Sequence, residues 1–121
     1  MSISIPLTPQ ELHNLAMNTV GKDLEKQGYE FLAVNSTLLK DPQFVALKKG
    51  KLHFVFVKAI TYPDDPNYID PIYAEAMKLH AEKFKAQCFF GYVGLADASD
   101  YNKPLCKDLD FVVNYPGIKK W

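Results

Sequence analysis

The feature that most constrains the fold is a run of apolar residues near the middle of the chain. Residues 54–57 read Phe-Val-Phe-Val, and the apolar pattern continues to Ile60, interrupted by the charge of Lys58. β-branched and aromatic residues favour extended structure. A strand that is apolar on both faces needs a layer covering each face. The run therefore predicts a central strand in a sheet that carries helices on both sides.

Signals for two helices flank this run. Thr8 is placed to cap a helix that starts at Pro9, and apolar residues then recur every three or four positions as far as Leu24. Gly28 is placed to end this helix. Asp70 and Pro71 open a second helix. Its apolar positions are Ile72, Ala76, Leu79 and Phe84, with Met77 as a further candidate.

Five strands are predicted around the helices. They cover residues 29–35, 43–48, 52–60, 88–96 and 109–114, with a turn at Lys49-Gly50 that makes the second and third strands a β-hairpin. The order α-β-β-β-α-β-β predicts a single α/β domain with a mixed sheet between helices. The core of this domain is expected at about residues 8–96, and a C-terminal strand and tail at 97–121.

Composition bounds the classes of function. The chain has 121 residues, and 14 Lys+Arg balance 14 Asp+Glu, so its zero net charge gives no overall attraction to nucleic acid or to an anionic membrane. The hydrophobic fraction of 48% suits one buried core. No apolar stretch approaches the roughly 18 residues of a membrane span, and the N-terminus lacks the pattern of a signal peptide. We therefore expect a cytoplasmic protein without membrane insertion.

Motifs for metals and cofactors are missing from the sequence. Cys88 and Cys106 form no C-x-x-C pair, and we expect two reduced thiols, with Cys88 buried at a strand start. His13, His53 and His80 have no metal-binding spacing and are expected to be ordinary histidines. There is no G-x-G-x-x-G or Walker A sequence. No cofactor is predicted.

Three stretches together resemble a known family. They are residues 24–32 (LEKQGYEFL), 44–52 (FVALKKGKL) and 54–58 (FVFVK). In order and spacing they resemble the restriction-endonuclease-like, or PD-(D/E)XK, superfamily, and most of all the small bacterial proteins similar to archaeal Holliday-junction resolvases. The resemblance covers roughly residues 10–96. It implies a three-layer α/β/α fold with a mixed central sheet of about five strands.

The resemblance also implies where a nuclease site would lie. The acid of the first helix falls at Met17, the acid opening the second strand at Gln43, and the acid of the third strand at Phe56. The lysine of the motif is retained as Lys58. Mg²⁺ binds hard oxygen ligands, which Met and Phe cannot supply, and Gln is a neutral, weak substitute. The resemblance thus implies a nuclease-like scaffold that has lost its metal site.

Three hypotheses for function follow from these residues. The first is a non-catalytic binding or assembly protein on a degenerate nuclease scaffold. The second is a divergent metal-dependent DNA nuclease that rebuilds its site from Asp64, Asp65 or Glu11. The third is a soluble accessory protein of a respiratory complex such as the sodium-translocating NADH:quinone reductase, although no iron–sulfur, flavin or nicotinamide motif supports that chemistry. Lys58 is either an anion contact or a strand-end lysine that reaches water or pairs with Asp64 or Asp65.

Partners are indicated only by the aromatic residues of the C-terminal region. Phe111, Tyr115 and Trp121 make this strand and tail a candidate for homodimerisation, and the alternative is that the tail packs on its own domain. Nucleic acid is not favoured, because the lysines of the second helix, such as Lys78 and Lys83, alternate with acids.

Overall fold

Two helices cover opposite faces of one mixed sheet in the computed structural model, which describes residues 4–38 and 40–121. The predicted element order is confirmed, and one short strand is added at the C-terminus. In chain order the elements are α1 (Pro9–Lys26), β1 (Glu30–Val34), β2 (Phe44–Lys48), β3 (Lys51–Thr61), α2 (Pro71–Lys83), β4 (Gln87–Asp97), β5 (Phe111–Asn114) and β6 (Lys119–Lys120).

Helix α1 begins and ends where the sequence predicts. The Thr8 hydroxyl accepts a hydrogen bond from the Glu11 N–H at 3.1 Å, and the Glu11 carboxylate accepts one from the Thr8 N–H at 2.9 Å. This reciprocal capping box pairs two backbone donors that a helix start otherwise leaves open. At the other end, Gly28 has a φ of +82° directly after the C-cap residue Gln27, a conformation that glycine adopts without strain.

The sheet combines an antiparallel part with one parallel pair. Strands β1, β2 and β3 are antiparallel neighbours, and α2 then carries the chain across to β4, which lies parallel to β3. Strand β5 pairs with the end of β4 and β6 with its beginning, both antiparallel. The resulting order is β1-β2-β3-β4-β5, with β6 on β4. Strand β3 is therefore central, as the apolar run predicts.

Alternate residues of β3 contribute to two separate cores. Val55 and Val57 pack in the cluster that includes α1, and Phe54 and Phe56 pack in the cluster that includes α2. Val55 is fully buried and Phe56 is 1% exposed. The burial of neighbouring residues on opposite faces confirms that helices cover β3 on both sides.

The face through which α2 packs differs from the sequence prediction. Ile72, Leu79 and Phe84 are 84%, 55% and 56% exposed, and Ala76 is also exposed. The helix instead buries Ala74 and Ala81, seven residues apart on one face, with Tyr73 and Met77 half-buried. The sheet below α2 carries large aromatic rings, and small alanines let the helix lie close to them. Because α2 has apolar residues on several faces, spacing alone selected the wrong one.

The C-terminal tail packs on its own domain. The Tyr115 hydroxyl donates a 2.6 Å hydrogen bond to Asp23 in α1. The Trp121 ring lies edge-on to Phe90 with 6.0 Å between ring centroids. Of the three residues predicted to mediate a dimer, these two are therefore engaged within the chain, while Phe111 on β5 is 41% exposed. The homodimer stays a prediction.

Candidate binding cleft

A cleft of about 970 Å³ opens beside the carboxyl-terminal half of β3. Ligands of α/β proteins commonly bind outside the carboxyl ends of the strands, and the volume is in the range of small-molecule sites. Its wall is built from α1, the segment before β2, β3, the loop after β3, α2 and β4. The lining residues are Pro9, Leu12, His13, Leu38, Asp41, Gln43, Phe56, Val57, Lys58, Ala59, Ile60, Thr61, Pro63, Asp64, Asp65, Tyr68, Asp70, Tyr73 and Tyr92.

Three of the four positions taken from the nuclease resemblance meet at this cleft. Gln43, Phe56 and Lys58 all line it. Met17 lies elsewhere: it is 5% exposed in the core between α1 and the sheet, in the same cluster as Val57. Gln43, directly before β2, and the two β3 positions therefore lie together at the cleft, and the α1 position does not.

The Gln43 side chain closes the end of the β2–β3 pairing. Strand β2 begins at Phe44, and beyond that point the Gln43 carboxamide oxygen accepts a 2.7 Å hydrogen bond from the backbone N–H of Val57. Its Nε2 donates to the Asp41 carboxylate at 2.6 Å and to the Lys40 carbonyl at 3.1 Å. Gln43 is 2% exposed. A buried backbone donor needs a partner, and Gln43 supplies it.

Phe56 occupies the position at which the nuclease resemblance places an acid on the third strand. Its ring packs 5.4 Å from that of Phe90, measured between centroids, and it is part of the core under α2. With the Gln43 oxygen committed to Val57 and Met17 in the other core, these residues do not fit Mg²⁺, which needs several available oxygen ligands. In residues 4–38 and 40–121, no three His, Cys, Asp or Glu side chains gather closely enough to hold a metal ion.

Four carboxylates line the cleft, and three of them accept hydrogen bonds from neutral donors. Asp41 accepts from Gln43 and, at 3.0 Å, from the Tyr73 hydroxyl. Asp70 caps α2 by accepting the Ile72 N–H at 3.0 Å.

The other two cleft carboxylates lie in the loop after β3. The Asp65 carboxylate accepts hydrogen bonds from the backbone N–H and the side-chain amide of Asn67. These hydrogen bonds lower the pKa of the Asp65 carboxyl. Asp64 lines the cleft beside it. Glu11, the third acid proposed for a rebuilt site, does not line the cleft. It is held in the α1 capping box and lies 3.6 Å from Lys107.

Lys58 is the cationic side chain in the lining. Its Nζ lies 5.9 Å from the centroid of the Tyr92 ring, its neighbour in register on β4. Within the part of the chain that the structure describes, Lys107 and Glu11 form the only ion pair whose nitrogen and oxygen atoms lie within 4 Å of each other. Lys58 thus forms no ion pair with Asp64 or Asp65. The side chain is exposed, as expected for a strand-end lysine that reaches water.

Two tyrosines and a histidine of the cleft were not singled out as site residues from sequence. Burial raises the pKa of the Tyr92 hydroxyl to about 12, and the charges of Asp41 and Asp70 add to this effect. Burial and Asp41 raise the pKa of the Tyr73 hydroxyl as well. Both phenols are therefore neutral near neutral pH.

His13 is 2% exposed and lines the cleft from α1, although its spacing in the sequence gave no signal of a site. Burial lowers the pKa of its imidazole, and the charge of Asp41 opposes this shift. Among the residues described, its Nε2 has no hydrogen-bond partner.

The remaining candidates from the sequence lie outside the cleft. Cys88 is 3% exposed, and burial raises the pKa of its thiol to about 11, so it stays protonated as expected of a buried cysteine. His53 is buried between the rings of Tyr29 and Phe89. His80 packs against Phe84 at 5.4 Å between centroids. Neither this cysteine nor these two histidines are among the lining residues.

The fold and the cleft define the class: an α/β protein with a ligand-sized cleft beside the central strand of a mixed sheet. The chain belongs to the family described as a domain of unknown function (DUF8840), whose model matches residues 10–121 and so includes every strand and nearly all of α1. A search of curated proteins finds no match to this chain. No helix in the described ranges is both long enough and apolar enough to cross a membrane.

Proposed function

We propose that this chain is a non-catalytic binding protein on a restriction-endonuclease-like scaffold, and that it holds its ligand in the cleft beside β3. The observation that carries the proposal is the occupancy of two motif positions. A buried Phe56 ring and a Gln43 carboxamide bonded to Val57 lie where the resemblance places metal-binding carboxylates. The lysine of the motif is retained at the same cleft as Lys58.

The order of the elements supports the scaffold. The resemblance rests on an order of elements that runs from one helix through three antiparallel strands and a crossing helix to a parallel strand. The meeting of Gln43, Phe56 and Lys58 at one cleft supports the alignment of the second and third strands.

A cleavage assay tests the absence of nuclease chemistry. Purified protein is incubated with branched and with linear DNA, in Mg²⁺ and in Mn²⁺, and Mn²⁺ is titrated separately by calorimetry. We expect no cleavage and no heat of Mn²⁺ binding, because the motif positions supply no metal ligands. Metal-dependent cleavage that disappears in Lys58→Ala would contradict the proposal.

A second function has one observation in its favour. Asp64 and Asp65 line the same cleft as Lys58, so a divergent nuclease could use them in place of the usual acids. In that case Mn²⁺-dependent cleavage is expected in the wild type and is lost in Asp64→Asn. The matched control is Asp110→Asn, which changes an exposed acid that does not line the cleft.

A further inference from the structure

We infer that the ligand of the cleft is a small organic cation that carries a primary ammonium group. The inference rests on the proposed binding function and adds the chemical class of ligand. Its ammonium is placed on the Asp41 carboxylate and its carbon chain against the tyrosine rings.

The charge of the lining favours a cation. Four aspartates line the cleft, and Lys58 is the one lysine among its lining residues. The donors that hold Asp41, Asp65 and Asp70 are amides, a phenol and backbone N–H groups, all of them neutral. These contacts orient the carboxylates without cancelling their charge. The lining carries an excess of negative charge, with four carboxylates against the ammonium of Lys58 and the charge of Lys119 acting on Asp65. A concave surface with an excess of charge of one sign concentrates its field and attracts the opposite charge.

Asp41 is the carboxylate best prepared to hold an ammonium. It is fixed from two sides, by Gln43 at 2.6 Å and by the Tyr73 hydroxyl at 3.0 Å. An ionised carboxylate has about four acceptor positions, so two remain for a ligand. An ammonium that donates to a fixed carboxylate makes a charge-assisted hydrogen bond, which is about twice as strong as a neutral one. The charge of Asp41 also reaches His13, Tyr73 and Tyr92.

The aromatic lining suits the same ligand. Tyr68, Tyr73 and Tyr92 line the cleft, and Tyr68 is 64% exposed. The face of an aromatic ring attracts cations within about 6 Å of its centroid. Lys58 Nζ lies 5.9 Å from the centroid of Tyr92, which is just inside this range, so the ring of Tyr92 already faces one alkylammonium group.

His13 is an independent sign that a ligand completes the cleft. Its imidazole lies in the wall at 2% exposure, and Nε2 finds no hydrogen-bond partner in the described ranges. A buried polar atom without a partner costs about 1–3 kcal/mol. Because burial keeps the imidazole neutral, one ring nitrogen can accept a hydrogen bond. A polar group of a ligand that reaches Nε2 would supply the partner that the described residues do not, and an N–H donor would do so for the tautomer whose Nε2 is unprotonated.

A matched series of ligands tests the sign of the charge. Butane-1,4-diamine, butane-1,4-diol and butanedioate share a four-carbon chain and carry positive, neutral and negative charge. Each is titrated into the full chain by calorimetry at low salt and again at high salt. We expect binding of the diamine alone, weakened by salt because screening reduces the attraction. Binding of butanedioate or of the diol in place of the diamine would overturn the inference, as would no binding of any of the three.

Two variants locate the binding. Asp41→Asn is expected to weaken diamine binding at least about tenfold, which corresponds to about 1.4 kcal/mol. Asp110→Asn makes the same change of charge outside the cleft and is expected to bind as the wild type does. Should Asp41→Asn unfold, as judged by circular dichroism, Asp64→Asn replaces it, since no hydrogen bond of the Asp64 side chain is found in the described ranges. Equal loss of affinity in Asp41→Asn and the control would refute a site at Asp41, and equal loss in Asp64→Asn and the control would refute a site in the cleft.

The outcomes separate this inference from the proposed function. Butanedioate binding that is lost in Lys58→Gln would reject a cationic ligand and leave a binding cleft in place. Metal-dependent DNA cleavage would reject the proposed function, whatever the diamine does.

Discussion

At the residue scale, Gln43 joins two strands and the cleft through one carboxamide. Gln43→Ala is expected to lower the free energy of unfolding by about 2 kcal/mol, because the buried backbone N–H of Val57 would lose its hydrogen-bond acceptor. Urea denaturation measures the change. The control is Gln27→Ala. Gln27 is exposed, its Nε2 donates a hydrogen bond to Asp23, and its loss is expected to cost less than about 0.5 kcal/mol. Equal losses in the two variants would refute this role of Gln43.

His13 gives a prediction for pH. Burial lowers the pKa of its imidazole below the ordinary value of 6.5, so the unfolded chain takes up the proton first as the pH falls. The stability that the neutral imidazole contributes is therefore complete above about pH 6.5 and is lost as the pH falls below it. We expect His13→Gln to lose less stability than the wild type between about pH 7.5 and about pH 5.5 in urea denaturation.

Burial also lowers the pKa of the His53 imidazole. His53→Gln is accordingly expected to remove a second part of the pH dependence, and the double variant more than either single one. An unchanged pH dependence in His13→Gln would show that this imidazole does not contribute.

At the element scale, two glycines test how closely α1 lies on the sheet. A Cβ built on Gly91 of β4 would lie 3.0 Å from Cγ2 and 3.2 Å from Cγ1 of Val20 in α1, so the buried Val20 side chain would have to shift by a few tenths of an ångström. A Cβ built on Gly21 of α1 would make an ordinary contact of 3.4 Å with the far end of the Phe44 ring. Gly91→Ala is expected to destabilise the protein by about 1–3 kcal/mol. Gly21→Ala is expected to stabilise it by about 0.5–1 kcal/mol through helix propensity.

Thermal and urea unfolding of both glycine variants measure these changes. Because the same substitution should act with opposite signs at two positions of one interface, a general effect of adding a methyl group cannot produce the result. A stabilising Gly91→Ala would mean that the Val20 side chain gives way to the added methyl group, and would contradict the expected tight contact.

Elements were predictable from sequence where a local signal sets them. The Thr8 capping box, Gly28 and the Asp70 cap mark helix ends by contacts between residues close in the chain. The side of α2 that packs was not predictable in this way. Ile72 and Ala74 are both apolar, and only the shape of the sheet below decides that the smaller residue faces it. The two-residue strand β6 likewise depends on a distant partner, the beginning of β4.

At the scale of the whole molecule, the cleft was predictable only in part. Gln43, Phe56 and Lys58 lie on or beside two neighbouring strands, and a resemblance in local sequence placed them together. Asp41, Tyr73 and Tyr92 meet from three separate parts of the chain, and His13 adds a fourth. Contacts of this kind depend on how α1, α2 and the loop before β2 close over β3. No motif within one stretch of sequence predicts these contacts.

The tail gives the last prediction, which concerns the stability of the whole domain. Trp121 packs on Phe90, its backbone N–H donates to the Cys88 carbonyl at 3.0 Å, and its indole N–H donates to Glu75 at 3.3 Å. Trp121→Ala is expected to lower the free energy of unfolding by about 2 kcal/mol, less than for a fully buried aromatic residue because the ring is half-buried. Urea denaturation measures this loss.

The control for Trp121 is Phe111→Lys on the exposed edge strand β5, where a lysine discourages strand pairing between molecules. A change of about 0.5 kcal/mol or less in stability is expected there. Sedimentation of the same two variants tests the predicted homodimer. A dimer formed through β5 should become a monomer in Phe111→Lys and persist in Trp121→Ala, because Trp121 contacts its own domain. Monomer in Trp121→Ala and dimer in Phe111→Lys would mean that the tail, released from Phe90, is what joins two chains.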